Sequence, residues 1–256
     1  VSGPRGEGPV IHLGTSGWSY PGWKGPFYPP DLPSRQWLEF YASRFATVEI
    51  NMTFYRLPKT GMLIGWRDRT PPGFLFTLKA NRRITHLKRL RDVEGDVRDF
   101  YALGDALGEK LGAVLFQLPP SMTRDLGLLA RFLETLSSRH RNVIEFRDAS
   151  WYAEETYDLM RKHRTAFCTV PSGRVPDTTV ETADIAYFRF HGPTGRYDSS
   201  YPDADLAAWA AVIGRVRAAE CFVYFNNDYR GFAVENGLRL GEMLGVRRPG
   251  SPGSGS

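Results

Sequence analysis

Residues 113–147 read AVLFQLPPSMTRDLGLLARFLETLSSRHRNVIEFR. Two short apolar runs, Ala113–Leu118 and Asn142–Arg147, flank a helical pattern from about Asp125 to Ser137. Runs that are apolar almost throughout, rather than alternating, belong to parallel strands covered on both faces. A helix between two such strands supplies the crossover that parallel pairing needs. Six further segments repeat the theme outward. Val10–Gly14, Thr47–Asn51 and Phe74–Lys79 precede the unit; Thr165–Val170, Ile185–His191 and Cys221–Asp228 follow it. Helical patterns separate most of them: one opening at Ser34, then about 96–109, 153–163, 205–219 and 232–244. Between the sixth and seventh segments, PSGRVPDTTVETAD is too short and too broken by proline for a helix.

Eight strands alternating with helices in 256 residues predict an α/β fold, a single (β/α)₈ TIM-type barrel over 10–246, since such barrels take about 250 residues. Residues 1–9 are then a flexible N-terminus and 247–256, RRPGSPGSGS, a disordered tail. An open doubly wound sheet is the alternative architecture. No run approaches the roughly 18 apolar residues of a membrane span, and the first residues lack the apolar stretch of a secretion signal. The two cysteines, Cys168 and Cys221, lie inside apolar runs. They read as buried thiols, and the chain as cytoplasmic with no membrane partner. A net charge of +5 favours an anionic partner, a small molecule or nucleic acid, and the densest basic stretch is the loop at 81–89.

Barrel enzymes place their chemistry at the C-terminal ends of the strands, and polar residues gather there. The second strand ends in Glu49 and Asn51 and the third in Thr77 and Lys79. The fourth ends in Gln117, the fifth in Glu145 and Arg147, the seventh in Arg189 and His191, the eighth in Asn226 and Asp228. Paired members lie two apart and so share one face of their strand. If that face points inward, carboxylates, amides, an ammonium and guanidiniums converge on one cavity. Mutual neutralisation of Glu49 with Lys79, or of Glu145 with Arg147, is the competing explanation for any one pair. Aromatic residues crowd the same end: Trp18 and Trp23 after the first strand, Phe54 and Tyr55, Trp151 and Tyr152, Tyr197 and Tyr201. Such rings stack on bases or sugars, or pack a cover over the mouth. Gly14-Thr-Ser-Gly-Trp18 matches no nucleotide-binding fingerprint and reads as a tight turn. His191 is the functional histidine of choice and His86 a weaker one. His12 reads as a core residue, and His140 and His163 as surface residues.

Four functions fit this set. A phosphoester- or nucleic-acid-directed hydrolase would hold phosphate oxygens on Lys79, Arg147 and Arg189. Glu49, Glu145, His191 and Asp228 would bind one or two divalent metal ions that polarise the phosphoryl group. A metal-free glycoside hydrolase would use Glu49 and Glu145, about 5–9.5 Å apart, with Trp18, Trp23 and Trp151 as sugar platforms. A lyase or isomerase would use Lys79 as a base or Schiff-base amine. The last is a non-catalytic binder of a phosphorylated ligand.

GTSGWSYPGW (14–23), VEINMTFYRLP (48–58), TLKANRRITH (77–86), LFQLPPS (115–121), VIEFRDASWY (143–152), YFRFHG (187–192) and VYFNND (223–228) occur in that order. Over residues 10 to 245 the chain resembles the YecE-like family, a domain of unknown function numbered seventy-two. The resemblance implies a TIM-type barrel and a shared site, but no reaction. Carried over, that site comprises Glu49, Asn51, Lys79, Gln117, Glu145, Arg147, Arg189, His191, Asn226 and Asp228, with Tyr55, Trp151, Tyr197 and Tyr201 beside them. Many relatives end the sixth strand in an acid, where this chain has Thr169-Val170-Pro171.

Overall fold

The computed structural model describes residues 8–171 and 173–246. Eight strands form a closed parallel barrel in chain order: β1 (Val10–Ser16), β2 (Thr47–Ile50), β3 (Leu75–Lys79), β4 (Leu111–Gln117), β5 (Asn142–Glu145), β6 (Ala166–Thr169), β7 (Ile185–Phe190) and β8 (Glu220–Phe225). β1 pairs with both β2 and β8, so the sheet has no edge and is not the open alternative. Around it lie α1 (Trp37–Ala42), α2 (Met52–Tyr55), α3 (Thr60–Asp68), α4 (Glu94–Gly104), α5 (Leu126–Thr135), α6 (Glu154–Lys162), α7 (Asp203–Ile213) and α8 (Phe232–Met243). The described residues between β6 and β7 form no helix, as the prolines predict. The proposed tail and all but two residues of the proposed flexible N-terminus lie outside the described residues.

α3 is the longer of two helices that sequence patterning misses, the one-turn α2 being the other. Gly61 and Gly65 weaken its helix propensity, and it buries only Leu63 and Trp66, too short a stripe to show a period. Where patterning extends strands 2, 5, 7 and 8 to polar residues, the strands stop one to three residues earlier. Asn51, Arg147, His191, Asn226 and Asp228 therefore sit on the loops just beyond the barrel rim.

Strand residues alternate between two cores. Val48, Phe76, Val114, Ile144, Phe167, Phe188 and Val223 face outward against the helices. Ala113, Leu115, Val143, Ala166, Cys168, Ile185, Tyr187, Phe222 and Tyr224 fill the lumen. Tyr224 donates or accepts across it at Thr47 (2.7 Å) and Thr77 (2.9 Å). That parity turns Glu49, Lys79, Gln117, Glu145 and Arg189 inward above the apolar layers. Both cysteines are buried and unpaired. Among the described residues no helix is long and apolar enough to cross a membrane. His140 departs from its expected surface position. Its side chain is 9% exposed, stacked on Tyr101 at 4.3 Å and bonded to Asp105 at 2.8 Å.

Gly14 sets how closely β1 approaches β2. A Cβ there would lie 2.1 Å from the Thr47 carbonyl oxygen, a backbone atom that cannot swing away. Gly14→Ala is expected to destabilise the barrel by about 3 kcal/mol, lowering the melting temperature by roughly 6–12 °C. Gly22→Ala, with nothing within 4 Å of the new methyl, is the control and should melt like the parent. Equal melting of both variants would mean that the β1–β2 contact is looser than described.

Candidate functional site

The inward face of β7 carries Tyr187, Arg189 and, just past the strand, His191, all buried. Arg189 is fully buried and spans two carboxylates. Its Nη2 donates to Glu49 Oε1 at 2.7 Å and its Nε to Glu49 Oε2 at 2.9 Å. Its Nη1 donates to Glu145 Oε2. Glu49 accepts further bonds from the Ser16 hydroxyl (2.7 Å) and the Tyr187 hydroxyl (2.6 Å). Glu145 accepts from Arg147 Nε. Both carboxylates are fully buried. Burial alone would push the Glu145 carboxyl up, but Arg147 and Arg189 outweigh it and hold it well below the usual range. The same carboxylates keep Arg189 protonated against its burial.

Arg147 extends the network upward. Its Nη2 donates to His191 Nε2 at 2.9 Å and its Nη1 to the Tyr197 hydroxyl at 3.3 Å. A guanidinium only donates, so His191 Nε2 accepts and the proton of the neutral ring sits on Nδ1; the 3.1 Å contact there, to the Asn226 amide nitrogen, becomes a hydrogen bond with that amide turned to present its oxygen. His191 is thus a neutral imidazole. Burial first, then Arg147, press its pKa down to about 3.

Lys79 stands apart. No carboxylate lies within ion-pair distance of it among the described residues. Its ammonium instead sits 4.3 Å above the Phe54 ring. Burial, then Arg189, bring its pKa down to about 8, against the pull of Glu145 and Glu49. Two carboxylates and two guanidiniums cancel and His191 is neutral, which leaves the Lys79 ammonium and, on the β8 side, the Asp228 carboxylate without an ion-pair partner among the described residues. Asn51 and Gln117 line the mouth. The Asn51 amide oxygen is buried without a partner, a state that costs about 1–3 kcal/mol and that a ligand donor would relieve. Gln117 donates to the Leu118 carbonyl at 2.7 Å. Asp228 lies on the β8 side, near Tyr20, and burial raises its carboxyl pKa.

Several sequence expectations need correction. The proposed metal set of Glu49, Glu145, His191 and Asp228 is not gathered as one: among the described residues no group of three or more His, Cys, Asp or Glu could hold an ion. The two glutamates are enclosed by guanidiniums and Asp228 stands apart. Arg189, expected to bind substrate, lies beneath the surface and is saturated by carboxylates. Trp151 is fully buried, stacked on Phe146 at 4.7 Å with its indole N–H on the Met122 carbonyl (2.6 Å). Tyr201 is buried too, its hydroxyl donating to the Pro171 carbonyl at 2.7 Å. Trp23, the second platform, is fully buried with its N–H on the Asp228 carbonyl at 2.9 Å. Trp18 packs edge-on against Trp66 at 5.1 Å, and Tyr55 stands at the rim, 69% exposed. Ser16 and Tyr187 were missed as supports of Glu49. Tyr187 was legible, since it precedes Arg189 by two on the same strand face.

Fold and site together define a (β/α)₈-barrel protein with an ion-paired polar cleft at the C-terminal mouth. Within that class the chain belongs to the YecE-like family: residues 12–254 match "Protein of unknown function DUF72". It is 27% identical to UPF0759 protein YunF of Bacillus subtilis, over 94% of this chain and 97% of that protein. It is 32% identical to UPF0759 protein YecE of Escherichia coli, over 59% of this chain and 54% of that one. A DUF72 family protein of Thermotoga maritima superposes with a TM-score of 0.84 at 33% identity, covering 92% of this chain and 99% of the other. One from Enterococcus faecalis shares the fold with a TM-score of 0.80 at 22% identity, over 93% and 96%.

Two outcomes test the network. Arg189→Met strands two buried carboxylates and should cost about 3–5 kcal/mol of stability, while Arg189→Met with Glu49→Gln and Glu145→Gln should recover much of that loss. Failure of the triple variant to recover would contradict the charge account. Because the folded pKa of His191 lies below its ordinary 6.5, the unfolded chain takes up its proton first. The contribution of His191 is therefore complete above pH 6.5 and lost toward pH 3, at about 1.4 kcal/mol per pH unit. His191→Gln should flatten that part of the stability profile in urea titrations between pH 6.5 and 4.

Proposed function

We propose that the chain is an enzyme acting on a phosphoester, most simply a hydrolase, whose substrate phosphate docks on Lys79 with Arg147 beside it. The observation that supports this is the uncompensated Lys79 ammonium, held in a cleft where every neighbouring carboxylate already has a guanidinium. Burying an unpaired ammonium is costly unless an anion meets it. A phosphate oxygen would take that place, with the outer edge of Arg147 and the Tyr197 hydroxyl as further donors. Asn51 and Gln117 offer amides to the rest of the substrate. Asp228, free of any cationic partner among the described residues, is the carboxylate left to accept the proton of an attacking water. The glycoside-hydrolase reading loses its pair, since Glu49 and Glu145 are fully buried and Glu145 is held far below the pKa of a general acid.

A second reading has its own support. An amine with a pKa near 8 is partly neutral at physiological pH, as a Schiff-base lyase or isomerase needs. One titration separates the two. With inorganic phosphate followed by calorimetry, affinity should be greatest below pH 8 and fall about tenfold per unit above it as Lys79 deprotonates. Lys79→Met should weaken binding by roughly tenfold or more, and Lys79→Arg should keep it and remove the decline above pH 8. Phosphate affinity indifferent to both substitutions would end the phosphoester reading. Borohydride capture of a carbonyl substrate on wild type, absent in Lys79→Arg, would establish the amine chemistry instead.

The same residue carries a stability test. The folded pKa of Lys79 lies below its ordinary 10.5, so the charge opposes folding below pH 8 and that cost fades between pH 8 and 10.5. Lys79→Met should therefore stabilise the protein at pH 7 by about 1–3 kcal/mol, as functional charges often allow. A destabilised Lys79→Met would mark the lysine as structural.

A further inference from the structure

The stretch of the chain that contains Lys79 is unlike the rest in charge. Residues 51–91 hold ten Lys or Arg and one acid, Asp68. Several of these cations are neutralised: Arg67 on Asp68, Arg69 on Glu39, Arg83 and Lys88 on Asp96. Arg89 is not. Its guanidinium donates only to Ser121, at the hydroxyl (3.1 Å) and the carbonyl (2.8 Å), with no carboxylate in reach among the described residues. Ser121 follows β4, so this fork ties the loop after β3 to the neighbouring loop after β4 at the rim of the barrel.

The backbone that presents Arg89 is unfavourable. A single π-helical turn, Arg83–Leu87, leads into Arg89, Leu90 and Asp92 with φ of 50°, 67° and 50°. Left-handed residues other than glycine cost on the order of 1 kcal/mol each and gather where function requires them. Inside this bend lies His86. Its ring stands edge-on to Phe54 at 4.8 Å, and the face of that phenyl carries Lys79 Nζ at 4.3 Å. Thr85 Oγ1 lies 2.9 Å from His86 Nδ1. With the hydroxyl donating there, Nε2–H is left as a donor without a partner among the described residues. Burial, then Lys79, Arg147 and Arg89, lower the His86 pKa, so like charges already surround it and no counter-ion has been supplied.

We propose that His86 and Arg89 form a second anion subsite beside Lys79, and that the substrate is a small molecule carrying two linked phosphate groups. This rests on the reading of Lys79 as the first phosphate site. Lys79 and His86 share one phenyl ring, a span suited to adjacent phosphates rather than to a long polymer. One phosphate meets Lys79 and Arg147; the next meets His86 Nε2–H and the free edge of Arg89.

Calorimetry with inorganic phosphate, pyrophosphate and tripolyphosphate on the whole protein tests this. Affinity should rise at least tenfold from phosphate to one of the longer probes in wild type. Arg89→Gln should abolish that step, and Arg91→Gln, an exposed cation two residues on, should keep it. A folded Arg89→Gln that retains the step, an absent step in wild type, or equal losses in Arg89→Gln and Arg91→Gln would overturn the subsite. So would affinity that grows with oligothymidylate length but not with linear phosphates, which would point to a polynucleotide. Inorganic phosphate binding that ignores Lys79→Met would instead overturn the first site, so the two failures are distinguishable.

Discussion

The barrel mouth is organised around one buried cation shared by two buried anions. Glu49 on β2, Glu145 on β5 and Arg189 on β7 come from strands that are not neighbours, and all three are fully buried. Their contact therefore ties three walls of the lumen together at one level. Removing such charges from water is costly, and the attraction offsets the cost only when the remaining lone pairs are satisfied. Here they are, by Ser16, Tyr187 and Arg147. A pair of this kind is weak evidence for added stability. It is better evidence for a defined geometry, because any displacement of Arg189 would leave two carboxylates uncovered.

That constraint separates the lumen into layers with different tasks. Below lie aliphatic and aromatic side chains, with Tyr224 satisfied by Thr47 and Thr77. At the ion-pair level, charge cancels. Above it, Arg147 relays the order to His191, Tyr197 and Asn226, fixing the imidazole in one tautomer. Only then come Lys79, Asn51 and Gln117, whose polar ends are not all satisfied from within. Saturated supports beneath under-satisfied groups are what a binding site needs if its upper residues are to be held without their ligand.

The architecture was legible because parallel strands covered on both faces are continuous in apolar residues, and the polar pairs at their ends share a face by the two-residue period. The same period placed Glu49, Glu145, Arg147, Arg189 and His191 in one cavity. Depth was not legible. Spacing cannot tell that Arg189 lies under the cleft and Lys79 within it, because that depends on how far each strand rises and on which carboxylate each cation meets. Nor could it separate Trp151 and Tyr201, buried between barrel and surrounding loops, from Tyr55 at the rim. An aromatic residue after a strand has the same local signature in both places. The bend at 83–92 was equally hidden, since its left-handed residues include no glycine to announce them.

The opposite end of the barrel offers a comparison for the C-terminal mouth. There His12 and Arg141 both meet Glu220, His140 meets Asp105, and Arg164 meets Asp184 at 2.9 Å. These residues border or line a groove of about 1110 Å³, where Arg141 and Arg164 each meet a carboxylate. Charged residues are as common at this end, so their presence alone does not mark a site. Pairing is more telling: Arg141 and Arg164 meet acids at the N-terminal mouth, whereas Lys79 and Arg89 at the C-terminal one meet none among the described residues. In a barrel whose strands all point their C-terminal ends the same way, that imbalance falls on the face where the loops can be varied without disturbing the sheet.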